Sequence, residues 1–92
     1  MEVITRIEVL NMLRLGDTTL RRMIENGLFP KPFTITGSRP QLWLRSEIDT
    51  YVKACIDIES QLLSANRYIN REEMIGRVVG SIEKQRLINA GK

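Results

Sequence analysis

The stretch TRIEVLNMLRLGDTTLRRMIENG, residues 5–27, decides the fold that we predict for this chain. Thr5 is followed three residues later by Glu8, which is the capping-box pattern of a helix start. Apolar residues keep helical spacing behind this pattern as far as Leu13. The stretch therefore predicts a first helix over residues 6–13.

A second short helix is predicted after a turn of about three residues, the length typical of a helix-turn-helix. Gly16 and Asp17 are available to cap its start, and Gly27 is placed to end it as a C′ glycine. We predict this helix over residues 17–26. Any αα-hairpin gives the same pattern, so the pattern alone does not select the helix-turn-helix. The apolar stripe that would face the core consists of Leu20, Met23 and Ile24.

The next stretch changes from a helical to an extended pattern. The two prolines within Leu28–Pro32 forbid a helix. Residues 33–36 alternate in the manner of a strand, residues 37–40 have turn chemistry, and residues 41–44 make the return strand of a predicted hairpin. A hairpin is marginal alone, so it must pack on the helices. We expect Trp43 to anchor that packing; stacking on a nucleic-acid base is the alternative.

A long third helix is predicted from an N-cap at Ser46. Its apolar residues alternate between spacings of three and four, the heptad-type seam of packed helices. We expect the part up to residue 55 to pack on the preceding core, and the later part to meet a helix of this chain or of a second copy. The seam consists of Ile48, Tyr51, Cys55, Ile58, Leu62, Ala65 and Ile69.

A fourth helix is predicted from Asn70, because Glu73 follows at capping spacing and an apolar face continues through about residue 82. The polar tail, residues 84–92, is expected to fray. The predicted fold class is mainly α with a small β-hairpin. We divide the chain into residues 1–56, the two-helix and hairpin unit, and residues 57–92, a helical extension.

Composition excludes several classes of protein. The 92 residues are 42% hydrophobic and 27% charged, which is typical of one small globular domain. A single cysteine, Cys55, rules out an internal disulfide, and the absence of histidine removes the commonest zinc ligand and general base. We predict no catalytic residue, metal or cofactor. No apolar run approaches the roughly 18 residues of a membrane span, and no signal peptide is evident, so we expect a cytoplasmic protein.

Positive charge is concentrated between residues 14 and 45. This stretch has an excess of four positive charges, whereas the whole chain has an excess of three. The outward face of the second helix shows Thr18, Arg21 and Arg22, which can read base edges in a major groove. An ordinary solvated surface is the alternative interpretation. The charged residues counted are Arg14, Arg21, Arg22, Lys31, Arg39 and Arg45 against Asp17 and Glu25.

Three motifs in this order resemble the AlpA family of phage and prophage regulators, which is close to the excisionases and to the DNA-binding domains of MerR-type activators. The motifs are GLFPKP at residues 27–32, a short hairpin carrying Arg39, and WLRSEID at residues 43–49. The resemblance covers about residues 4–56. The family's first-turn glycine is replaced by Arg14, and the tyrosine of its recognition helix by Arg21.

The resemblance implies a winged helix-turn-helix, with the second helix as recognition helix in the major groove and the hairpin as the wing on the backbone or minor groove. It implies a sequence-specific duplex DNA-binding protein of a phage or mobile element. Such a protein acts as a transcriptional regulator or as a recombination directionality factor (excisionase) in the bacterial host cytoplasm, at the nucleoid. The implied DNA-binding residues are Thr18, Thr19, Arg21, Arg22, Lys31, Ser38, Arg39 and Arg45.

The extension has no counterpart in short members of that family, and three roles stay open. It can form a homodimer, it can dock integrase or RNA polymerase, or it can fold back to enlarge one core. The alternative function for the whole chain is a protein-interaction adaptor that binds integrase, a repressor or RNA polymerase rather than DNA. The predicted dimerisation residues are Ile58, Leu62, Ala65 and Ile69.

Overall fold

The computed structural model describes residues 1–64 and 70–90. In these ranges the chain is mainly helical with a small two-stranded antiparallel sheet, which confirms the coarse fold class. The elements are β1 (Val3–Thr5), α1 (Arg6–Leu13), α2 (Asp17–Glu25), β2 (Leu42–Leu44), α3 (Arg45–Ser64) and α4 (Arg71–Ala90).

The helices α1 and α2 form as the sequence predicts. The Thr5 amide donates to Glu8 Oε1 at 3.0 Å, and the Glu8 amide donates back to Thr5 Oγ1, so the capping box is complete. A turn of residues 14–16 separates the two helices. Arg14 ends α1 in the left-handed conformation with φ 54°, and its N–H donates to the Leu10 carbonyl. Arg14 therefore takes the conformation that glycine adopts most easily.

The predicted hairpin is wrong in its pairing. β2 pairs antiparallel with the N-terminal strand β1, with Ile4 opposite Trp43. Phe33 makes only an isolated bridge to Leu42, and residues 34–41 form a loop. The physical reason is that Pro40 has no amide to donate to a ladder. β1 pairs with the other edge of β2, and the edge expected for residues 33–36 is paired only at Phe33.

Both long helices differ from the sequence prediction at one end. α3 begins at Arg45 and not after Ser46, because Glu47 Oε1 accepts the Leu44 amide at 3.0 Å and supplies the cap from inside the helix. α4 begins after Asn70 as predicted, but it continues to Ala90, so fraying from residue 84 is wrong for the described part of the tail.

Three aromatic residues form the centre of the core. Phe29 packs edge-on against both Trp43 and Tyr51, with ring centroids 5.9 and 4.8 Å apart. Trp43 Nε1 donates to the Pro30 carbonyl and the Tyr51 hydroxyl to the Leu28 carbonyl, both at 2.7 Å. These bonds satisfy two carbonyls of the extended segment that joins α2 to the loop. The prediction that Trp43 anchors the core is confirmed.

The seam of α3 meets a helix of its own chain. Ile58 is only 4% exposed, and Val79 and Ile82 of α4 are buried as well, the latter two in the same core cluster as Trp43. Within the described residues, the extension folds back on the core, which is the third of the roles considered for it. Leu62 is half-buried, and Ala65 and Ile69 lie outside the described residues. The division after residue 56 falls inside α3.

Candidate nucleic-acid interface

The outer face of α2 carries the polar residues expected from the sequence. Leu20 is fully buried, which turns the opposite face of this short helix to solvent. Gly16 has no side chain with which to cap the first turn of α2, so the amides of that turn face outward without a capping oxygen. The exposed residues of this face are Thr18, Thr19, Arg21, Arg22 and Glu25.

A groove of about 650 Å³ separates α2 from the loop of residues 34–41, and we call it the α2–loop groove. Arg21 and Glu25 line it from α2, and Ser38 and Arg39 line it from the loop. The structure therefore brings Arg21, Ser38 and Arg39 together across one groove, although 17 positions separate Ser38 from Arg21 in the sequence.

Arg6 fixes the floor of the α2–loop groove. Its Nε donates to Asp17 Oδ1 and its Nη1 to Gln41 Oε1, each at 2.8 Å. One guanidinium thus joins the start of α1, the start of α2 and the end of the loop. The same hydrogen bond holds the pKa of the Asp17 carboxyl below its usual value. The sequence analysis missed this role because Asp17 and Gln41 are 11 and 35 residues away, beyond any local pattern.

The backbone of Arg39 is held by Thr36. The Thr36 hydroxyl donates to the Arg39 carbonyl, and the Arg39 amide donates to Thr36 Oγ1 at 3.4 Å. Gly37 lies between them with φ 97°, a conformation that favours glycine. The loop therefore presents Arg39 and Ser38 from a closed turn. The short-range signal for this turn is a threonine just before a glycine, because a threonine hydroxyl can bond to backbone groups a few residues along the chain.

Arg45 and Lys31 lie in different surroundings. The Arg45 guanidinium is 3.6 Å from Glu2 Oε2 and 3.5 Å from Asp49 Oδ1. The hydrogen bonds from Thr5 lower the pKa of the Glu8 carboxyl, and the charge of Arg45 adds to that lowering. Arg45 is thus surrounded by carboxylates, and we leave it out of the interface proposed below. Lys31 is exposed, and its amide donates to Glu83 Oε2 at 2.9 Å, which ties this segment to α4.

Two further ionisable side chains lie away from this groove: Tyr51 is buried and Cys55 is half-buried. Burial raises the pKa of the Cys55 thiol and of the Tyr51 hydroxyl, so both stay protonated at neutral pH. Across residues 1–64 and 70–90, no cluster of cysteine and carboxylate side chains could hold a metal ion. In those same ranges, no helix combines the length and the apolarity needed to cross a bilayer.

No protein-family model, curated protein or solved structure matches this chain. Its function is therefore inferred from its own residues and their geometry.

Proposed function

We propose that this chain is a sequence-specific duplex DNA-binding protein built as a winged helix-turn-helix. In this proposal α1 and α2 are the helix-turn-helix, α2 is the recognition helix, and the loop of residues 34–41 is the wing. The observation that carries the proposal is the placement of exposed Arg21 across the α2–loop groove from Arg39, with exposed Arg22 on the same helix. Three guanidinium groups on two neighbouring elements suit a polyanion that spans both.

The recognition role of α2 follows from its exposed face. Arginine donates two parallel hydrogen bonds to guanine in the major groove, and threonine contacts bases or phosphates. Arg22 and Thr18 are exposed for such contacts. The first turn of α2 follows Gly16 and has no side-chain cap. It therefore offers backbone amides and the positive end of the helix dipole to a phosphate.

The biological role follows from the resemblance to the AlpA family. We propose a regulator of transcription or a recombination directionality factor of a phage or mobile element, without catalytic activity of its own. Both roles use the same DNA contacts. Bending of an attachment site in the presence of integrase would mark the second role.

The internal packing of α3 on α4 bears on the expected homodimer. A dimer through Ile58 would first have to expose this side chain, because it is already buried within the chain. We therefore propose that one folded chain occupies one half-site. Pairing on two half-sites would use a surface other than the seam.

The test is selection of bound duplexes from a randomised pool of about 30 base pairs, long enough for two half-sites one helical turn apart. We expect an enriched motif at near-physiological salt. In that motif Arg22→Ala should relax preference at one base pair. Arg39→Ala should weaken binding to all sequences alike. No enrichment, with only weak and salt-sensitive retention, would contradict the proposal.

The adaptor function is favoured by one specific observation. Ile7 and Ile35 are 70% and 78% exposed, and Ile7 lies in the wall of the α2–loop groove. Exposed aliphatic side chains beside a charged groove suit a protein partner such as integrase or RNA polymerase. If Ile35→Ser leaves DNA selection intact but abolishes partner binding, the two functions coexist on adjoining surfaces.

A further inference from the structure

We propose that the α2–loop groove seats the sugar–phosphate backbone of one DNA strand, gripped by Arg21 from α2 and by Arg39 from the loop. This inference rests on the proposed function and deepens it. It assigns Arg21 to the backbone, whereas the sequence analysis expected this residue to meet the major groove. Arg22 then remains as the arginine of α2 that reads bases.

The two neighbouring arginines of α2, Arg21 and Arg22, lie on different parts of the helix surface. Arg21 lines the α2–loop groove, whereas Arg22 is exposed but is not part of that wall among the described residues. Successive residues of an α-helix are rotated by about 100° around its axis, so the side chains of Arg21 and Arg22 leave α2 in different directions. Between a major groove and the neighbouring minor groove lies a phosphate backbone. That is the element an arginine between helix and wing would meet.

The charges of the groove favour an anion at one end. The Arg6 guanidinium is hydrogen-bonded to Asp17 and Gln41. Its positive charge neutralises the Asp17 carboxylate and therefore adds little to the net charge of the groove. Arg21 and Arg39 form no ion pair with the described residues. Glu25 lies one helical turn beyond Arg21 and repels phosphate at that end. The backbone is therefore directed toward the N-terminal half of α2.

The remaining walls fit a sugar better than a free anion. Ile7, Ile24 and Pro40 line the same groove with aliphatic carbon, which can pack against deoxyribose. Ser38 adds a hydroxyl donor on the loop side. The combination of two guanidinium groups with aliphatic walls matches the alternating phosphate and sugar of a backbone.

The experiment replaces single phosphates of the selected duplex by uncharged methylphosphonates, one position at a time along each strand, and measures the Kd. We expect one or two adjacent positions on one strand to weaken wild-type binding by roughly tenfold, the loss of a charged hydrogen bond. Arg21→Ala should weaken binding to the unmodified duplex by a similar factor and reduce the salt slope by about 1. Most importantly, Arg21→Ala should no longer respond to the methylphosphonate at that position.

Arg22→Ala is the matched control, since it removes the same group from the next residue. It should stay sensitive to that methylphosphonate while losing base preference. Glu25→Gln should tighten binding by about twofold to fivefold, as the removal of a repulsive charge near a phosphate predicts.

Each outcome separates this inference from the proposed function. If wild-type protein enriches no duplex, the proposed function fails. If it does bind a motif but Arg21→Ala responds to every methylphosphonate as wild type does, the backbone assignment is overturned while the function stands. Equal competition by the single strand of the same sequence would also overturn the assignment, because a gripped backbone must be presented by the duplex between its two grooves.

Discussion

The arginine–carboxylate pairs Arg6–Asp17 and Arg86–Glu47 lie in two regions of this molecule that differ in what surrounds the pair. In the α2–loop groove Arg6 holds Asp17, whose side chain is 62% exposed, and two further arginines remain beside the pair. Between α3 and α4, Arg86 holds Glu47, with side chains only 22% and 8% exposed. The first region keeps positive charge available for a partner. The second uses its arginine to join two helices.

The Glu47–Arg86 pair shows how complete the second arrangement is. Glu47 accepts hydrogen bonds from Arg86 Nε at 2.7 Å and from Arg86 Nη2 at 3.0 Å, and also caps α3 through the Leu44 amide. The Arg86 guanidinium in addition lies 5.9 Å from the centroid of the Phe33 ring. The pair between α3 and α4 therefore has a structural role, whereas the α2–loop region is the binding surface that we propose.

The largest expected effect is a loss of stability from a substitution in the Glu47–Arg86 pair. Glu47→Ala removes the partner of a mostly buried guanidinium and the cap of α3, so we expect a loss of about 3 kcal/mol in the free energy of unfolding. Chemical denaturation measures this loss. Glu47→Gln is the control, because it keeps an acceptor for the Leu44 amide and should lose less. A loss below 1 kcal/mol for Glu47→Ala would show that α4 does not depend on this pair.

The next largest expected effect is a loss of DNA affinity from a substitution on α2. Arg22→Ala should weaken binding to the selected duplex by about 1–3 kcal/mol. Its free energy of unfolding should change by less than about 0.5 kcal/mol, because the side chain is exposed. Titration of labelled duplex together with denaturation separates the two quantities. If Arg22→Ala lowered the free energy of unfolding as much as the free energy of DNA binding, α2 would not differ from the α3–α4 region in the way that we propose.

A stabilising substitution is expected at the turn between α1 and α2. Arg14 adopts φ 54°, which strains a residue with a side chain, so Arg14→Gly should raise the free energy of unfolding by about 1 kcal/mol. Arg14→Ala is the control, since alanine keeps the strain and removes the same charge. If both variants gain equally, the benefit comes from charge and not from the backbone.

The smallest effect is a pH dependence at the floor of the α2–loop groove. Arg6 lowers the folded-state pKa of Asp17, so this pair contributes stability above the unfolded pKa of Asp17, about 4. The contribution is lost as the pH falls through the lower folded value. The stability difference between wild type and Asp17→Asn should therefore be present at pH 6 and shrink toward pH 3. A difference that is constant over this range would exclude the pair as its source.

Short-range patterns account for the parts of the fold that the sequence predicted. The capping box of Thr5 and Glu8 spans three residues, and the start of α4 at Asn70 follows the same logic. Trp43 was recognised as a core residue because a lone aromatic in a small chain has few other places to go.

Two of the differences involve long-range contacts that no local pattern encodes, whereas the cap of α3 spans only three residues. β1 pairs with β2 across most of the first half of the chain, and Glu47 meets Arg86 39 residues later. Ser46 was expected to cap α3 because it has a hydroxyl, whereas Glu47 supplies the cap from inside the helix. In the candidate interface, residue types were predictable from charge. The sequence does not show that Arg21 lines a groove with Arg39 while Arg22 does not, because this depends on where the loop lies beside α2.

The most direct test of the central claim is a titration of ¹⁵N-labelled protein with the selected duplex, followed by amide chemical shifts. We predict that the largest chemical-shift changes occur at the amides of residues 17–25 and 36–41. The chemical shifts of the amides around Glu47 and Arg86 should not change. Shifts centred on the α3–α4 region, with α2 and the loop unchanged, would contradict the account.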